Sequence, residues 1–151
     1  MTNVQQDDHV ALLRAAGLRS TPQRLAIAGE IFSRSHPTVG EVFTAVQQKF
    51  PTIGLATIYN TLRSMAEKGL VRELPFADAI RYDANISEHV NLVCTDCGKI
   101  EDSEDCDDLI VAIRKRVSSG FTPQNERVDL YGVCGDCLKP LKQPARRRRA
   151  L

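Results

Sequence analysis

The feature that most constrains this sequence of 151 residues is a pair of short cysteine motifs. Cys94 and Cys97 are separated by two residues, and so are Cys134 and Cys137, which together account for four of the five cysteines. Each motif can present two sulfur atoms to one metal ion. Two converging motifs form the tetrahedral four-thiolate site that zinc prefers. Such a site is closed to water, so it stabilises a fold without indicating what the protein does.

Two other uses of these cysteines compete with zinc. The four could form two disulfides, or one motif could be a redox pair of the thioredoxin type. A redox pair usually opens a helix in a βαβ unit, and both motifs here are predicted to lie among strand residues. We therefore predict structural zinc at the two motifs, with Cys106 left over as a spare thiol.

Length and charge limit the class of protein. The length fits one domain or two small ones. No segment resembles a signal peptide or is apolar enough to span a membrane, so we expect a cytoplasmic protein. Residues 85–138 contain 11 Asp or Glu against 5 Lys or Arg, whereas residues 139–151 contain 6 Lys or Arg and no acidic residue. We expect this basic tail to be disordered, and it could serve solubility or attract phosphates non-specifically.

The first half of the chain predicts four helices followed by a β-hairpin. Thr21 caps a helix that starts with Pro22, and Thr38 forms a capping box with Glu41. The predicted helices cover residues 10–16, 22–33 and 55–68, and the helix that begins after Thr38 carries an apolar stripe of Val39, Val42, Phe43 and Val46. The predicted strands cover residues 71–74 and 79–82. This order is typical of a winged helix-turn-helix, in which the helix before the hairpin enters the major groove of DNA.

The fourth predicted helix has two distinct faces. Its apolar stripe consists of Ile58, Leu62, Met65 and Ala66. Ala56, Tyr59, Asn60 and Arg63 lie on a different face at 100° per residue. Taken alone, this polar face could be an ordinary solvated surface or a DNA-contacting surface.

The second half predicts a small α+β domain that begins near residue 85. Strands are predicted at residues 89–94, 99–102 and 127–134, and a helix at residues 107–118. The helix has Leu109, Ile110, Ile113 and Val117 on one face. Both cysteine motifs are predicted to lie beside strand ends.

Seven motifs, taken together, match a known family. They are Thr-Pro-Gln-Arg at 21–24, His-Pro-Thr at 36–38, Ala-Thr-Ile-Tyr-Asn-Thr-Leu at 56–62, Gly-Leu-Val at 69–71, Arg-Tyr-Asp at 81–83, Cys-x-x-Cys-Gly at 94–98 and Tyr-Gly-x-Cys-x-x-Cys at 131–137. In their order and spacing, across residues 10–138, the chain resembles the ferric uptake regulator superfamily of bacterial metal-responsive repressors.

The resemblance implies an α+β fold in three parts. These are a winged helix-turn-helix DNA-binding domain at residues 1–84, a small α/β dimerisation domain with the four-cysteine zinc site at residues 85–138, and the basic tail at residues 139–151. It also implies a homodimer that binds a palindromic operator in double-stranded DNA. A second, exchangeable metal ion would bind at the hinge between the domains and favour the DNA-binding shape, because a ligand shifts a population toward the state that it binds better.

The expected ligands of the exchangeable metal indicate a branch of the family. The chain resembles the peroxide-sensing branch at His36, Asp83, His89 and Asp102, where an aspartate at the last position is associated with peroxide sensing. Two imidazoles with carboxylates form a mixed site suited to Fe²⁺ or Mn²⁺. The chain departs from the family at Asn91, where a histidine is usual. An asparagine oxygen is a weaker but harder ligand, so Asn91 is a candidate fifth ligand.

The leading hypothesis is a peroxide-responsive transcriptional repressor that is not an enzyme. It would contact DNA through Tyr59, Asn60 and Arg63, with Arg24 and the hairpin on phosphates. Peroxide would react at bound Fe²⁺ and oxidise His36 or His89, which would release the metal and then the DNA. A second hypothesis is a regulator that reports iron, manganese or zinc availability without peroxide chemistry. A third is a thiol–disulfide enzyme that uses the cysteine motifs.

Overall fold

The computed structural model describes residues 3–76, 78–103, 106–117, 120–124 and 126–141. Residues 142–151, which include the arginine run of the predicted basic tail, lie outside the described residues. The chain divides into two compact units, Met1–Ile86 and Ser87–Leu151. The division falls two residues beyond the boundary that the sequence predicts after residue 84. Each unit has its own arrangement of helices and strands.

The first unit has the predicted order of four helices followed by a hairpin. The elements are α1 (Asn3–Ala15), α2 (Pro22–Ser33), α3 (Val39–Lys49), α4 (Leu55–Glu67), β1 (Arg72–Pro75) and β2 (Ile80–Asp83). Helix α1 begins seven residues earlier than predicted, because its first turns are polar and lack the apolar periodicity that reveals a helix. The prediction of a winged helix-turn-helix is confirmed.

Local capping explains where α2 and α3 start. The hydroxyl of Thr21 accepts the backbone N–H of Arg24 at 3.3 Å, and Pro22 occupies the first turn. At α3 the capping box is complete: Thr38 Oγ1 accepts the N–H of Glu41 at 3.2 Å, and Glu41 Oε2 accepts the N–H of Thr38 at 2.7 Å. Each bond satisfies a helix-terminal donor that has no partner inside the helix.

The core of the first unit is formed by the apolar faces of the helices. Its buried side chains are Leu13, Ile27, Ala28, Ile31, Val39, Val42, Val46, Ile53, Ile58, Leu62, Met65, Val71 and Tyr82. Three of the four residues of the predicted α4 stripe are fully buried, and Ala66 is partly buried against them. Each fully buried aliphatic side chain contributes about 1.5–3 kcal/mol relative to an exposed one. This core holds α4 with its opposite face toward solvent.

The hairpin is tied to the start of α3. Strand β1 pairs antiparallel with β2, and Arg72 lies opposite Asp83. The N–H of Tyr82 donates to the carbonyl of Pro37 at 2.9 Å, and Thr38 forms a β-bridge with Arg81. These bonds fix the segment that carries His36 alongside the strand that ends at Asp83.

The second unit contains a three-stranded sheet with two helices. The elements are β3 (Val90–Cys94), β4 (Ile100–Ser103), α5 (Asp107–Arg116), β5 (Val128–Gly132) and α6 (Gly135–Leu141). The strand order is β4-β3-β5, with β4 antiparallel and β5 parallel to the central strand β3. The predicted α/β character and the three predicted strands are confirmed.

The predicted helix from residue 107 is confirmed as α5, in which Ile110 is 2% exposed while Leu109 and Ile113 are 45% and 44% exposed. One prediction for this unit is wrong. The second cysteine motif does not lie among strand residues, because Cys134 follows β5 and Cys137 lies within α6. A helix of seven residues is too short to show the periodicity that would reveal it in a sequence.

Within the part of the chain that the structure describes, no helix is long and apolar enough to cross a bilayer.

Candidate functional site

The four cysteines of the two motifs converge in the second unit. Cys94 ends β3, Cys97 lies in the turn that follows, and the other two lie at the end of β5 and on α6. The Sγ atoms of Cys94 and Cys137 are 3.9 Å apart, and those of Cys97 and Cys134 are 3.8 Å apart. Four sulfurs at about 2.3 Å from one zinc ion in a tetrahedron are about 3.8 Å from each other. The four-cysteine cluster therefore suits structural zinc.

The same geometry decides between zinc and the two thiol alternatives. A disulfide requires two sulfurs about 2.05 Å apart, and all five cysteines are free. Because the second motif does open a helix, its position cannot be used against a redox role. What argues against that role is the convergence of all four sulfurs at the spacing of one tetrahedral ion.

The backbone around the cluster favours thiolate at one of its members. The N–H of Cys134 donates to Cys94 Sγ at 3.2 Å and lowers the pKa of the Cys94 thiol to about 6. Hydrogen bonding with the Cys134 side chain raises the pKa of Cys137. A thiolate is the form that binds metal, so Cys94 is prepared for coordination before an ion arrives.

Two predicted ligands of the exchangeable metal meet in the first unit. His36 precedes α3 and Asp83 ends β2, and both are buried, at 4% and 3% exposed. Their Nε2 and Oδ1 atoms are 3.9 Å apart, beyond hydrogen-bonding distance. With zinc-like bonds of about 2.0–2.2 Å, two donors on one ion lie at most about 4.4 Å apart. The separation therefore fits a shared ion.

The backbone of His36 is strained. Among the described residues other than glycine, His36 is the one with a positive φ, 49°. Such a conformation costs about 1–3 kcal/mol and persists where the surrounding structure imposes it, often at functional sites. The imidazole is also oriented locally, because its Nδ1 lies 2.9 Å from Ser35 Oγ. Strain and orientation both favour a functional role for this side chain.

The other predicted ligands lie together in the second unit. His89 precedes β3, and its Nε2 is 3.9 Å from Asp102 Oδ1 on β4. Its Nδ1 is 3.0 Å from the carbonyl oxygen of Ser87. A carbonyl can only accept, so a neutral ring carries its proton on Nδ1 and presents the Nε2 lone pair. This is the tautomer that a metal ligand needs.

Asn91 lies beside this pair in the sheet. It is 2% exposed and sits opposite Asp102 in the register of β3 and β4. Its Oδ1 atom is buried and has no hydrogen-bond partner among the residues that the structure describes. A buried polar atom without a hydrogen-bond partner lowers the stability of the fold by about 1–3 kcal/mol. An oxygen held in this way suits a hard cation such as Mn²⁺ or Fe²⁺.

The predicted DNA-contacting face of α4 is exposed. Tyr59 is 48% exposed, and Asn60 and Arg63 are exposed beside it. Arg63 Nε lies 3.0 Å from Glu67 Oε1 in a solvent-exposed ion pair. A pair of this kind is worth about 0.3–0.5 kcal/mol, so its guanidinium can readily exchange the carboxylate for another anion.

Arg24 differs from the other predicted DNA-contacting residues. It is half-buried, and its Nη1 donates to the carbonyl of Arg19 at 2.9 Å. Part of its donor capacity therefore stabilises the entry into α2.

Sequence reasoning missed one polar residue of the candidate metal region. Asp129 on β5 accepts a hydrogen bond from Asn91 Nδ2 at 3.0 Å. These residues are 38 positions apart, and only the parallel pairing of β3 with β5 brings them together. The alternation of strand residues could have placed Asp129 on a face, but not beside Asn91.

Comparison with known proteins identifies a family that the chain matches. A profile of the Ferric uptake regulator family matches residues 15–131. The peroxide-responsive repressor PerR of Staphylococcus epidermidis is 40% identical over 134 residues, which cover 87% of this chain and 89% of that protein.

Solved structures give the same grouping. The crystal structure of the Campylobacter jejuni peroxide stress regulator matches with a TM-score of 0.67 and 28% identity, covering 91% of this chain and 100% of that one. The ferric uptake regulator from Pseudomonas aeruginosa with manganese matches with a TM-score of 0.67 and 26% identity, covering 84% and 98%.

Proposed function

The chain belongs to the ferric uptake regulator family, and from that premise we propose that it is a metal-dependent, DNA-binding transcriptional repressor that responds to peroxide. It acts as a regulator and not as an enzyme. The observation that carries the proposal is two histidine–carboxylate pairs outside the four-cysteine cluster, His36 with Asp83 and His89 with Asp102, whose donor atoms are 3.9 Å apart in each pair. The 40% identity to a peroxide-responsive repressor supports the peroxide assignment.

Two metal sites with different roles follow from this proposal. Zn²⁺ at the four cysteines stabilises the second unit and takes no part in sensing. Fe²⁺ or Mn²⁺ is the regulatory ion, with ligands from both units: His36 and Asp83 from the first, and His89, Asn91 and Asp102 from the second. The support is chemical, because imidazole nitrogen with carboxylate and amide oxygen is a donor set suited to these two ions.

The histidines are the proposed peroxide-reactive groups. Bound Fe²⁺ would supply the redox chemistry that activates hydrogen peroxide, which Mn²⁺ does not. One oxygen atom of peroxide is added to the imidazole of His36 or His89, and the other leaves as water. The oxidised ring is a poorer ligand, so the metal is released and the DNA-binding state loses its stabilising ligand.

The DNA interface is proposed to be the exposed face of α4. Tyr59, Asn60 and Arg63 would enter the major groove, and Arg24 and the β1–β2 hairpin would lie near phosphates. The exposure of the first three side chains supports this assignment. The half-buried position of Arg24 gives it a smaller share of the contact.

A homodimer on a palindromic operator completes the proposal, in a cytoplasmic setting. The support is an apolar surface on one face of the second unit's sheet. Leu92 on β3 and Leu130 on β5 lie side by side in register, at 39% and 53% exposed. Contiguous exposed apolar side chains on a sheet mark an interaction surface.

Operator binding in four samples tests the peroxide assignment. DNA would be selected from a random library with the Mn²⁺-loaded protein. Its binding would then be measured for the Fe²⁺ and Mn²⁺ forms, each before and after hydrogen peroxide. We expect peroxide to abolish binding in the iron sample alone, with one added oxygen on the peptide that contains His36 or His89 by mass spectrometry. Oxidation confined to cysteines would exclude this mechanism.

A regulator of metal availability without peroxide sensing is the second candidate. The observation that supports it is the structural match to the ferric uptake regulator from Pseudomonas aeruginosa with manganese, at 26% identity. This candidate predicts that metal controls DNA binding while peroxide leaves both the iron and the manganese samples unchanged. The same four samples therefore distinguish the two candidates.

A further inference from the structure

The nitrogen atom of the Asn91 side-chain amide has a hydrogen-bond partner. Asn91 is on the central strand β3, between Asp102 on β4 and Asp129 on β5. Its Nδ2 donates to Asp129 Oδ1 at 3.0 Å. An ionised carboxylate can only accept, so the amide nitrogen and not the oxygen must face Asp129. This chemistry fixes which way the amide is turned.

Because Nδ2 of Asn91 is fixed in this way, the orientation of its Oδ1 atom is fixed as well. With Nδ2 directed to β5, Oδ1 is turned away from that strand, and β4 on the opposite side carries Asp102 at the paired position. Oδ1 is buried and has no hydrogen-bond partner among the described residues. The Asn91 oxygen therefore lies on the side of β3 that faces Asp102, a proposed metal ligand, and can bind a cation.

Asp129 is itself held in place. Arg127 Nε donates to the same Oδ1 atom at 2.8 Å, and the Asp129 side chain is 17% exposed. Asn91, Asp129 and Arg127 thus form a chain of hydrogen bonds that orients the amide.

We propose that Asp129 is a positioning residue of the regulatory metal site, which holds the Asn91 amide so that its oxygen binds the metal. This inference rests on the proposed function, since it requires the regulatory ion. It assigns Asp129 the role that outer carboxylates have at histidine sites, where they orient a ligand that they do not replace.

A double-mutant cycle on the full-length, zinc-loaded protein tests the proposal. Mn²⁺ binding would be measured from the electron paramagnetic resonance signal of the free ion for the wild type, Asp129→Val, Asn91→Ala and the double variant. Valine cannot accept a hydrogen bond, so we expect Asp129→Val to weaken binding by about tenfold or more, as loss of an orienting partner does. In the Asn91→Ala background the same change should have an effect of less than about twofold, because no amide remains to orient.

Two controls separate positioning from charge and folding. Glu101→Gln removes one negative charge from the opposite face of the same sheet, where Glu101 pairs with Leu92, and should leave Mn²⁺ binding unchanged. Zinc content and the thermal midpoint report folding. If Asp129→Val loses zinc, Asp129→Ala replaces it, because alanine is smaller and its side chain also cannot accept a hydrogen bond.

The outcomes distinguish this inference from the proposed function. Wild-type protein that binds no Mn²⁺ beyond its zinc would overturn both. Wild-type protein that binds Mn²⁺ while Asp129→Val binds it equally well would overturn the inference alone. An equal loss with and without Asn91 would show that Asp129 acts by charge or by stabilising the sheet, which also overturns it.

Discussion

At the scale of single residues, hydrogen bonds from neighbouring groups orient the proposed metal-binding side chains. The N–H of Cys134 donates to the sulfur of Cys94, the carbonyl of Ser87 fixes the tautomer of His89, and Asp129 fixes the amide of Asn91. Each partner reduces the number of side-chain orientations or protonation forms that are lost when a metal binds. Binding free energy is therefore not spent on reorienting the ligands.

The four-cysteine cluster gives a prediction at this scale. We expect Cys97→Ser to lower the zinc content from one ion per chain toward none and to destabilise the second unit, because a serine hydroxyl remains protonated and is a poor zinc ligand. Zinc would be measured by elemental analysis after dialysis.

Cys106→Ser is the matched control for that substitution. Cys106 Sγ lies 3.5 Å from Ser103 Oγ and is outside the four-cysteine cluster, so its replacement should leave zinc content unchanged. Retention of a full equivalent of zinc by Cys97→Ser would contradict the assignment of the cluster.

At the scale of elements, α3 connects helix capping to the candidate metal region. Its capping box begins at Thr38, two residues after His36, and Thr38 also bridges to β2 through Arg81. The start of this helix is therefore tied to both ligand-bearing segments of the first unit. Loss of the cap should loosen these segments as well as the helix.

We expect Thr38→Ala to lower the free energy of unfolding by about 1 kcal/mol, the usual cost of removing such a cap. Urea unfolding followed by far-ultraviolet circular dichroism would measure the loss. Thr44→Ala is the matched control, since it removes the same atoms from an exposed position inside α3 and should cost much less.

The cap also has a pH dependence of known sign. The N–H of Thr38 donates to the Glu41 carboxylate and lowers its pKa below the ordinary value of 4.5. A carboxyl group with a lower pKa in the folded state stabilises the fold above that ordinary value and loses this effect as pH falls through the folded pKa. The wild-type and Glu41→Gln proteins should therefore differ less in stability at about pH 3 than at about pH 7. A difference that grows on acidification would contradict the assigned bond.

At the scale of the whole molecule, the two units have different sources of stability. Among its described residues, the first has a core of 13 buried side chains, from the four helices, the hairpin and the segments that precede α4 and β1. The second is a three-stranded sheet whose apolar outer face remains partly exposed, with the four-cysteine cluster joining the ends of β3 and β5. A small unit of this kind needs a metal or a partner to be stable.

The proposed dimer can be tested on that exposed face. We expect Leu130→Asp to convert a dimer to monomers at low micromolar concentration, because it removes apolar contact area and introduces a charge into the interface. Sedimentation equilibrium would measure the association.

Ile80→Asp is the control for this substitution, since Ile80 is a similarly exposed strand residue in the first unit, at 45% against 53% for Leu130. It should leave the dimer intact. A Leu130→Asp protein that remains fully dimeric would place the interface elsewhere.

The sequence by itself determined the features that depend on nearby residues. Motif spacing predicted the four-cysteine cluster, caps predicted the starts of α2 and α3, and the 3.6-residue period predicted the buried stripe of α4. The short helix α6 and the polar start of α1 were missed because neither carries such a local signal.

Only the tertiary structure decided which distant residues meet. The parallel pairing of β3 with β5 places Asp129 beside Asn91, and the bonds between β2 and the start of α3 place Asp83 beside His36. Strand register and long-range pairing depend on packing of the whole chain, and alternation of residues along one strand does not specify its neighbour. The sequence therefore determined which ligand types are present, and the tertiary structure determined their distances and the orientation of the Asn91 amide.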